Sequence, residues 1–395
     1  MVHVVTYKIK LGSLAYLAIL AMGLQQFGLR VGTTKVDISC VIFIIFLTLY
    51  AAKIGFDKKL YILVMFLNSF WVAISYIHLH VEFVRMLVSC VWLTALLFLF
   101  SVPKINFDFN KLKVCIELVL TYTLLIFAIQ TFQGASRISR LGLFDEPSYL
   151  GLVIWSAAAG YLGSILYKKN KNELLKLLLL IIWGISTLSM HAAVIVLITA
   201  AYAMQNTIKM RELRLLYLIP IVVAIFWFFV IPNLDINHFL ERLDFSNPSN
   251  LSLLSWLRGL DQAIYASKNS FLLGFGPGST GQFDFPSIYT EMLELRRHGR
   301  LNLEDAYSGL FRLSIEIGIV AVSIITAVVL KIFFLNSHRG SNGASNQSMF
   351  ILWFSFALFI GIMIKEPTYS RSYVFVSAFL LGQFCKSGYL KTPMN

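Results

Sequence analysis

Two stretches of this sequence gather side chains able to grip an anion. One reads Arg137-Ile138-Ser139-Arg140 and continues through Asp145-Glu146-Pro147-Ser148-Tyr149. The other carries Arg258, a Gly274-Phe275-Gly276-Pro277-Gly278 turn, the run Arg296-Arg297-His298-Gly299-Arg300, and Asp305. A guanidinium stays charged at any relevant pH, and its planar fork matches a phosphate or carboxylate bidentately. Carboxylates and imidazole supply what the fork lacks, a place for a proton. Further along, Arg312 and Glu316 stand four apart, the spacing of a helical ion pair, and Glu366 and Arg371 precede the last apolar run. Glycines in the turn let backbone N–H groups approach a bound group closely. No strand precedes that turn and it lacks a P-loop lysine, so a nucleotide site is not expected. His78 and His80 lack an acidic third ligand, which argues against zinc, and His191 reads as a packed polar residue.

The elements that hold these groups are read from composition. Of the 395 residues, 58% are hydrophobic and 13% charged, with a mean hydropathy of +0.75; an ordinary soluble domain is about a quarter charged. Apolar blocks of about 17 to 25 residues alternate with short charged segments, the length a helix needs to cross ~30 Å of hydrocarbon. Open sheets leave unsatisfied edges in lipid, and runs such as 177–183 and 221–230 are apolar on every side rather than alternating, which excludes a barrel. The sequence therefore predicts an all-α polytopic integral membrane protein, a single membrane domain over 1–395 with about 12 transmembrane helices. The spans are 11–28, 36–52, 60–79, 83–102, 114–132, 149–167, 174–190, 192–205, 215–231, 306–331, 350–364 and 373–384. No small-x-small cleavage site follows the first, so it reads as a retained span. Cys40, Cys90, Cys115 and Cys385 fall in or at the ends of spans and offer no disulfide framework.

Threaded from an inside N-terminus, these spans put Lys53, Lys58, Lys59, Lys168, Lys169, Lys171 and most other lysines on one side, with both termini. The positive-inside rule makes that side cytoplasmic. The opposite side receives Arg30, Arg137, Arg140, Arg242, Arg258, Arg296, Arg297, Arg300 and Arg371, chiefly in a short loop over 133–148 and a large one over 232–305. Arginines placed against the orientation rule point to use. The net charge of +13 thus divides into a lysine face toward anionic lipid and an arginine face toward an anionic ligand. Apolar positions 253, 257, 260 and 264 predict an amphipathic helix near 251–268 on the outer membrane surface. Lys113 with Glu117, and Glu82 with Arg85, read as ordinary helix-surface pairs.

Together these residues carry a resemblance. Arginines before Gly142-Leu143-Phe144-Asp145-Glu146-Pro147-Ser148-Tyr149, then Trp256 and Arg258 ahead of the glycine turn, then Glu316-Ile317-Gly318, resemble the superfamily of O-antigen polymerases (Wzy) and O-antigen ligases. Arg140 and Gly151 are eleven positions apart, which matches the arginine-to-glycine spacing of a periplasmic loop in such polymerases. The break at Ser186–Met190 resembles the family's short helical pair, without the arginine usual after its serine. Where ligases carry a His-Asn pair, this chain reads Glu304-Asp305-Ala306-Tyr307, which favours the polymerase.

The resemblance implies a GT-C-like glycosyltransferase architecture in the bacterial inner membrane, with a large periplasmic loop. It also implies transfer of a glycan from one undecaprenyl-pyrophosphate carrier to the repeat unit on another. The pyrophosphate lipid is already a good leaving group, so no cofactor or metal is expected. Such a protein must hold two lipid-linked sugars, neutralise the departing pyrophosphate and accept the acceptor hydroxyl's proton. For catalysis this selects Glu146, Asp305 and His298. For pyrophosphate and glycan binding it selects Arg137, Arg140, Tyr149, Arg258, Arg297, Arg300, Arg312, Glu316 and Arg371. The implied partners are undecaprenyl-pyrophosphate-linked oligosaccharide, membrane lipids and a chain-length regulator of the polysaccharide co-polymerase type, with no nucleic acid. Two other readings stay open: an O-antigen ligase, and a lipid-linked oligosaccharide flippase or other transporter. Transporters tend toward short loops, internal repeats and midplane polar sites, whereas here a long loop and the outer surface carry the polar groups.

Overall fold

In a computed structural model of the chain, the described residues are 11–25, 29–31, 34–53, 58–79, 82–102, 108–133, 144, 147–168, 170–186, 250–339, 345–365, 368–369 and 371–387. They are helical apart from loops and one short antiparallel ribbon, Leu29–Val31 (β1) with Thr34–Val36 (β2), in which Arg30 pairs with Lys35. The ribbon is a local feature of three residues a side in a fold that is otherwise helical, as expected. It closes the connection between α1 (Leu11–Leu20, followed by a 3-10 turn to Gly23) and α2 (Ile38–Lys53), where a first span over 11–28 was expected.

The helices that follow are α3 (Lys58–Leu79), α4 (Phe83–Ser101), α5 (Phe109–Phe132), α6 (Pro147–Tyr167) and α7 (Lys171–Ser186). After the segment 187–249, which lies outside the described residues, come α8 (Leu251–Asn269), α9 (Ile288–Leu295), α10 (Gly309–Glu316), α11 (Ile319–Arg339), α12 (Asn346–Lys365) and α13 (Ser372–Ser387). The predicted spans 192–205 and 215–231, and the break at 186–191 beyond Ser186, lie in that segment.

Five of these helices are long and apolar enough to cross a membrane: Phe83–Ser101, Phe109–Phe132, Tyr149–Tyr167, Ile319–Ser337 and Asn346–Lys365. Gly12–Gly23, Ile38–Ala52, Tyr61–Tyr76 and Ser372–Cys385 are shorter apolar helices. This is the character of a membrane-embedded helical protein. Helix α6 is apolar on all sides because it sits at the centre, packed on α12 and α7. Tyr161 meets Phe350 at 4.8 Å, and Phe333 stacks on Phe356 at 4.1 Å.

The predicted span 306–331 is divided. Gly318, at φ +87°, separates α10 from α11, and a Cβ there would collide with the backbone of Leu272 and Leu273. Hydropathy runs through this break, so only the backbone packing reveals it. Helix α5 starts earlier than the predicted 114, because Asp108 accepts from the Asn110 N–H at 2.9 Å as its N-cap.

At the end of the bundle away from α8–α10, charges are paired between helices. Lys113 of α5 pairs with Glu173 of α7, Ser164 donates to Glu173 at 2.5 Å, and Glu117 takes Lys176 at 2.8 Å and Tyr161 OH at 2.6 Å. Lys113 and Glu117 thus each bond across to α7, where a local i,i+4 pair was expected. Buried Glu173 also sits in the first turn of α7, where the helix dipole favours an anion.

Candidate functional site

The site is built on α8, α10 and the link between α12 and α13. Asn250 caps α8 by accepting from the Ser252 and Leu253 N–H groups at 2.9 and 3.4 Å. Leu253, Leu254, Leu257, Ala263 and Ala266 are buried, and Trp256 meets Phe311 of α10 at 5.1 Å. The helix predicted near 251–268 therefore packs into protein over most of its surface, leaving Ile264, Lys268 and Asn269 exposed.

The glycine turn serves as a joint. The Phe275 and Gly276 N–H groups donate to the Ile315 and Glu316 carbonyls at 2.7 and 2.9 Å, closing the C-terminus of α10. Gly276 lies on Trp71 and Ser75 of α3, and Gly278 lies on the backbone of Arg85 and Met86 in α4. Two of the N–H groups expected to cradle an anion are thus committed to a helix end.

At the core of the site is a buried charge cluster. Arg312 Nε donates to Glu316 Oε1 at 3.0 Å, Thr280 Oγ1 donates to the same oxygen at 3.1 Å, and Tyr369 OH donates to Glu316 Oε2 at 3.1 Å. The Arg312 guanidinium also lies 4.3 Å from the centre of the Tyr369 ring. The Glu316 side chain is fully buried, whereas that of Arg312 keeps 14% of its surface exposed. The carboxylate is therefore satisfied from three elements, and the guanidinium is held between Glu316 and the Tyr369 ring. Ser308 ties the start of α10 to α12 by donating to Met363 O at 2.6 Å.

Beside this cluster, Asp305 Oδ1 accepts from the Tyr307 N–H at 3.0 Å, and Ala306 and Tyr307 both hold left-handed backbone (φ +55° and +63°). Such conformations cost about 1–3 kcal/mol each and tend to mark sites where geometry is imposed. The carboxylate of Asp305 acts on both Arg258 and Arg312. Arg258 itself is 1% exposed and donates to the Gly299 and Leu301 carbonyls. Burial pushes its pKa down, with Asp305 and Glu294 acting in the opposite sense.

Those two carbonyls belong to the basic turn. Arg297 N–H donates to Glu294 O and His298 N–H to Leu293 O, each at 2.8 Å, which is the paired ending of a Schellman motif on α9. The left-handed residue of that motif is usually glycine; here it is Arg297, at φ +61°. Arg296, Arg297, His298 and Arg300 are all exposed. Buried Arg258 thus fastens an exposed cationic turn from beneath.

A second cluster lies two residues beyond Tyr369. Arg371 pairs with Asp37 at 3.4 Å and lies 4.9 Å from the centre of the Tyr149 ring, while the Ser372 N–H donates to Asp37 Oδ2 at 2.8 Å. The link between α12 and α13 therefore feeds Tyr369 to one cluster and Arg371 to the other.

Under Tyr369 opens an apolar cavity of about 340 Å³. Helix α4 lines it from Leu93 to Phe100, α11 from Ile324 to Val329 and α13 from Val374 to Leu381, with Phe359 of α12. Its walls are almost wholly apolar, which suits a hydrocarbon chain, and Tyr369 joins this lining to the charge cluster through its bond to Glu316.

No family model matches this chain, and no curated protein does.

Of the residues singled out in the sequence, Arg312 and Glu316 meet directly, with Asp305 and Arg258 in electrostatic reach, and Arg371 and Tyr149 meet in the second cluster. Arg297, Arg300 and His298 stand on the exposed turn. Arg137, Arg140, Asp145, Glu146 and Glu366 lie outside the described residues, as do His80 and His191. Four participants escaped sequence reasoning: Tyr369, Thr280, Asp37 and Arg85. Arg85 donates to the Thr280 and Glu304 carbonyls at 2.6 and 2.8 Å and pairs with the Glu304 carboxylate at 3.4 Å. A surface pair with Glu82 had explained it locally. Asp37 carried a signal, since a carboxylate opening an apolar run needs a buried partner.

Proposed function

We propose that this chain is a periplasmic-face membrane glycosyltransferase of the O-antigen polymerase type, with about 12 spans, both termini cytoplasmic and a GT-C-like arrangement. The observation that carries the reading is the buried Arg312–Glu316–Tyr369 cluster, whose Tyr369 also lines an apolar cavity. A polyprenyl-pyrophosphate sugar asks for that combination: hydrocarbon walls for the isoprenoid and fixed cations at the membrane surface for the pyrophosphate. In the reaction, the bond from the donor sugar's anomeric carbon to the pyrophosphate oxygen breaks as the acceptor hydroxyl oxygen bonds to that carbon. The electron pair leaves with the pyrophosphate, and the hydroxyl proton passes to a base.

Arg312 takes the pyrophosphate charge in this reading, with Arg297 and Arg300 on the basic turn. Asp305, half-buried between Arg258 and Arg312, is the base that the geometry favours over exposed His298. Glu316 orients Arg312, and Arg371 with Tyr149 holds the edge of the site nearest the 133–148 loop. The reading keeps Arg137 and Arg140 as candidates for the anion and Glu146 as a candidate for catalysis.

The experiment is lipopolysaccharide banding in a deletion strain complemented with Arg312→Lys or Asp305→Asn. Core carrying a single repeat, restored to a ladder by the wild-type gene and not by either variant at equal membrane levels, is the expected result. Core alone with lipid-linked polymer accumulating would assign a ligase instead, and an unchanged ladder in the deletion strain would remove the polymerase reading.

A further inference from the structure

Phe271, Leu272 and Leu273 form an apolar tip that the site does not use. They are 86%, 46% and 46% exposed. Phe271 and Leu272 hold φ at +51° and +69°, a region that phenylalanine and leucine avoid because Cβ crowds the neighbouring carbonyl. Three N–H groups of the turn are nonetheless bonded. The Leu272 N–H donates to Ser267 O at 2.9 Å, the Leu273 N–H to Ser270 O at 3.1 Å, and the Gly274 N–H to Ser270 Oγ at 2.9 Å. Beneath it, the backbones of Leu272 and Leu273 rest on Gly318, with no room for a side chain at Gly318 or Gly274. A strained, bonded and tightly seated turn thus holds a phenylalanine outward.

Its surroundings indicate the solvent it meets. Gly318 is where α10 gives way to α11, and only 22% of the apolar stretch Ile319–Ser337 is buried in the protein. Val320 and Ile324 at the start of α11 are 45% and 59% exposed, and Leu310 of α10 is 36% exposed. A patch of this kind beside a membrane-crossing helix continues that helix's lipid-facing surface.

We infer that Phe271, Leu272 and Leu273 are a rigid wedge inserted among lipid chains at the membrane interface, where α11 enters. The wedge is joined to α10 through Gly274 and Gly318, so it fixes the depth at which Arg312 and Glu316 sit. The inference rests on α11 crossing a membrane and not on glycosyl transfer.

The test uses the full chain in phosphatidylethanolamine and phosphatidylglycerol vesicles, nitroxide-labelled through Phe271→Cys, with the label-treated parent chain as background for its own cysteines. Oxygen, which concentrates in hydrocarbon, and a nickel chelate, which stays in water, report depth. A label at 271 is expected to show an oxygen-to-nickel collision ratio several-fold above that of Glu291→Cys on α9, approaching that of Ile324→Cys. Leu273→Cys gives the same reading from a second position should Phe271→Cys disturb the turn. A ratio at both positions equal to that at Glu291→Cys would overturn the wedge, because the tip then meets water. Low access to both reagents would overturn it equally, because protein then covers the tip.

Discussion

A guanidinium buried to 1% exposure must satisfy its donors inside the protein, and Arg258 donates to the Gly299 and Leu301 carbonyls. It therefore fastens the basic turn, alongside the contact with an anion that the sequence leads one to expect of it. The fork reaches two carbonyls two residues apart, which one ammonium on a flexible stem does not replace. Arg258→Lys is expected to weaken the anchor by about 1–3 kcal/mol, with Arg258→Ala at the upper end of that range. Limited trypsin digestion in detergent checks this, because the freed turn offers Arg296, Arg297 and Arg300 for cleavage. Faster nicking at those arginines in both variants, with the rest of the digest unchanged, is the expected pattern; parent-like digestion would show that Arg258 anchors nothing. The contrast between Arg312–Glu316 and Tyr369 shows what a sequence discloses about such a site. Arg312 and Glu316 lie one helical turn apart and were legible from spacing alone. Tyr369 and Thr280 reach the same carboxylate from 53 and 36 residues away, and no local periodicity encodes those approaches.

Among the elements, the joint between α10 and α11 has the clearest physical requirement. Gly274 and Gly318 hold φ +81° and +87° with their backbones in contact, and the hypothetical Cβ of Gly274 falls 2.5 Å from the Gly318 nitrogen. Alanine at either position meets left-handed backbone and a collision at once, so each substitution is expected to cost upwards of about 1–3 kcal/mol. Because the two glycines touch, the second substitution should cost less once the first has separated the strands. A double-mutant cycle of Gly274→Ala and Gly318→Ala on thermal unfolding in detergent is expected to show coupling of about 0.5–3 kcal/mol. Strict additivity would mean that the joint is not a shared contact. Other helices needed no such knowledge. The apolar runs of α4, α6, α12 and α13 appear within a few residues of where hydropathy places them, because burial in lipid or protein demands the same composition. The α10–α11 break and the ribbon of Leu29–Val31 with Thr34–Val36 were invisible to hydropathy. One depends on a distant loop packing against a glycine, and the other on a register too short to leave a pattern.

For the chain as a whole, the two ends of the bundle differ in the kind of charge they hold. Lys113, Lys176, Glu117 and Glu173 link α5 to α7 at one end, and arginines with Asp37, Glu304 and Glu316 dominate the other. Lysine as an orientation mark and arginine as a ligand-holding group, the expectation drawn from the sequence, would give this division. It leads to a prediction about sidedness that every site assignment depends on. In intact cells, a membrane-impermeant maleimide added from outside is expected to label His298→Cys and Glu291→Cys, both exposed positions beyond α8. Lys168→Cys, exposed at the other end between α6 and α7, should react only after the membrane is permeabilised. The chain's own cysteines give little background, since Cys40, Cys90 and Cys115 are buried and Cys385 is half-buried. Because Lys113 and Lys176 help tie α5 to α7, the charge-bearing pairs should be left intact in the labelled variants, so that a misfolded bundle cannot mimic a reversed one. The opposite labelling pattern would place Arg312, Asp305 and the basic turn in the cytoplasm, where the positive-inside rule alone explains them and no anionic ligand is needed.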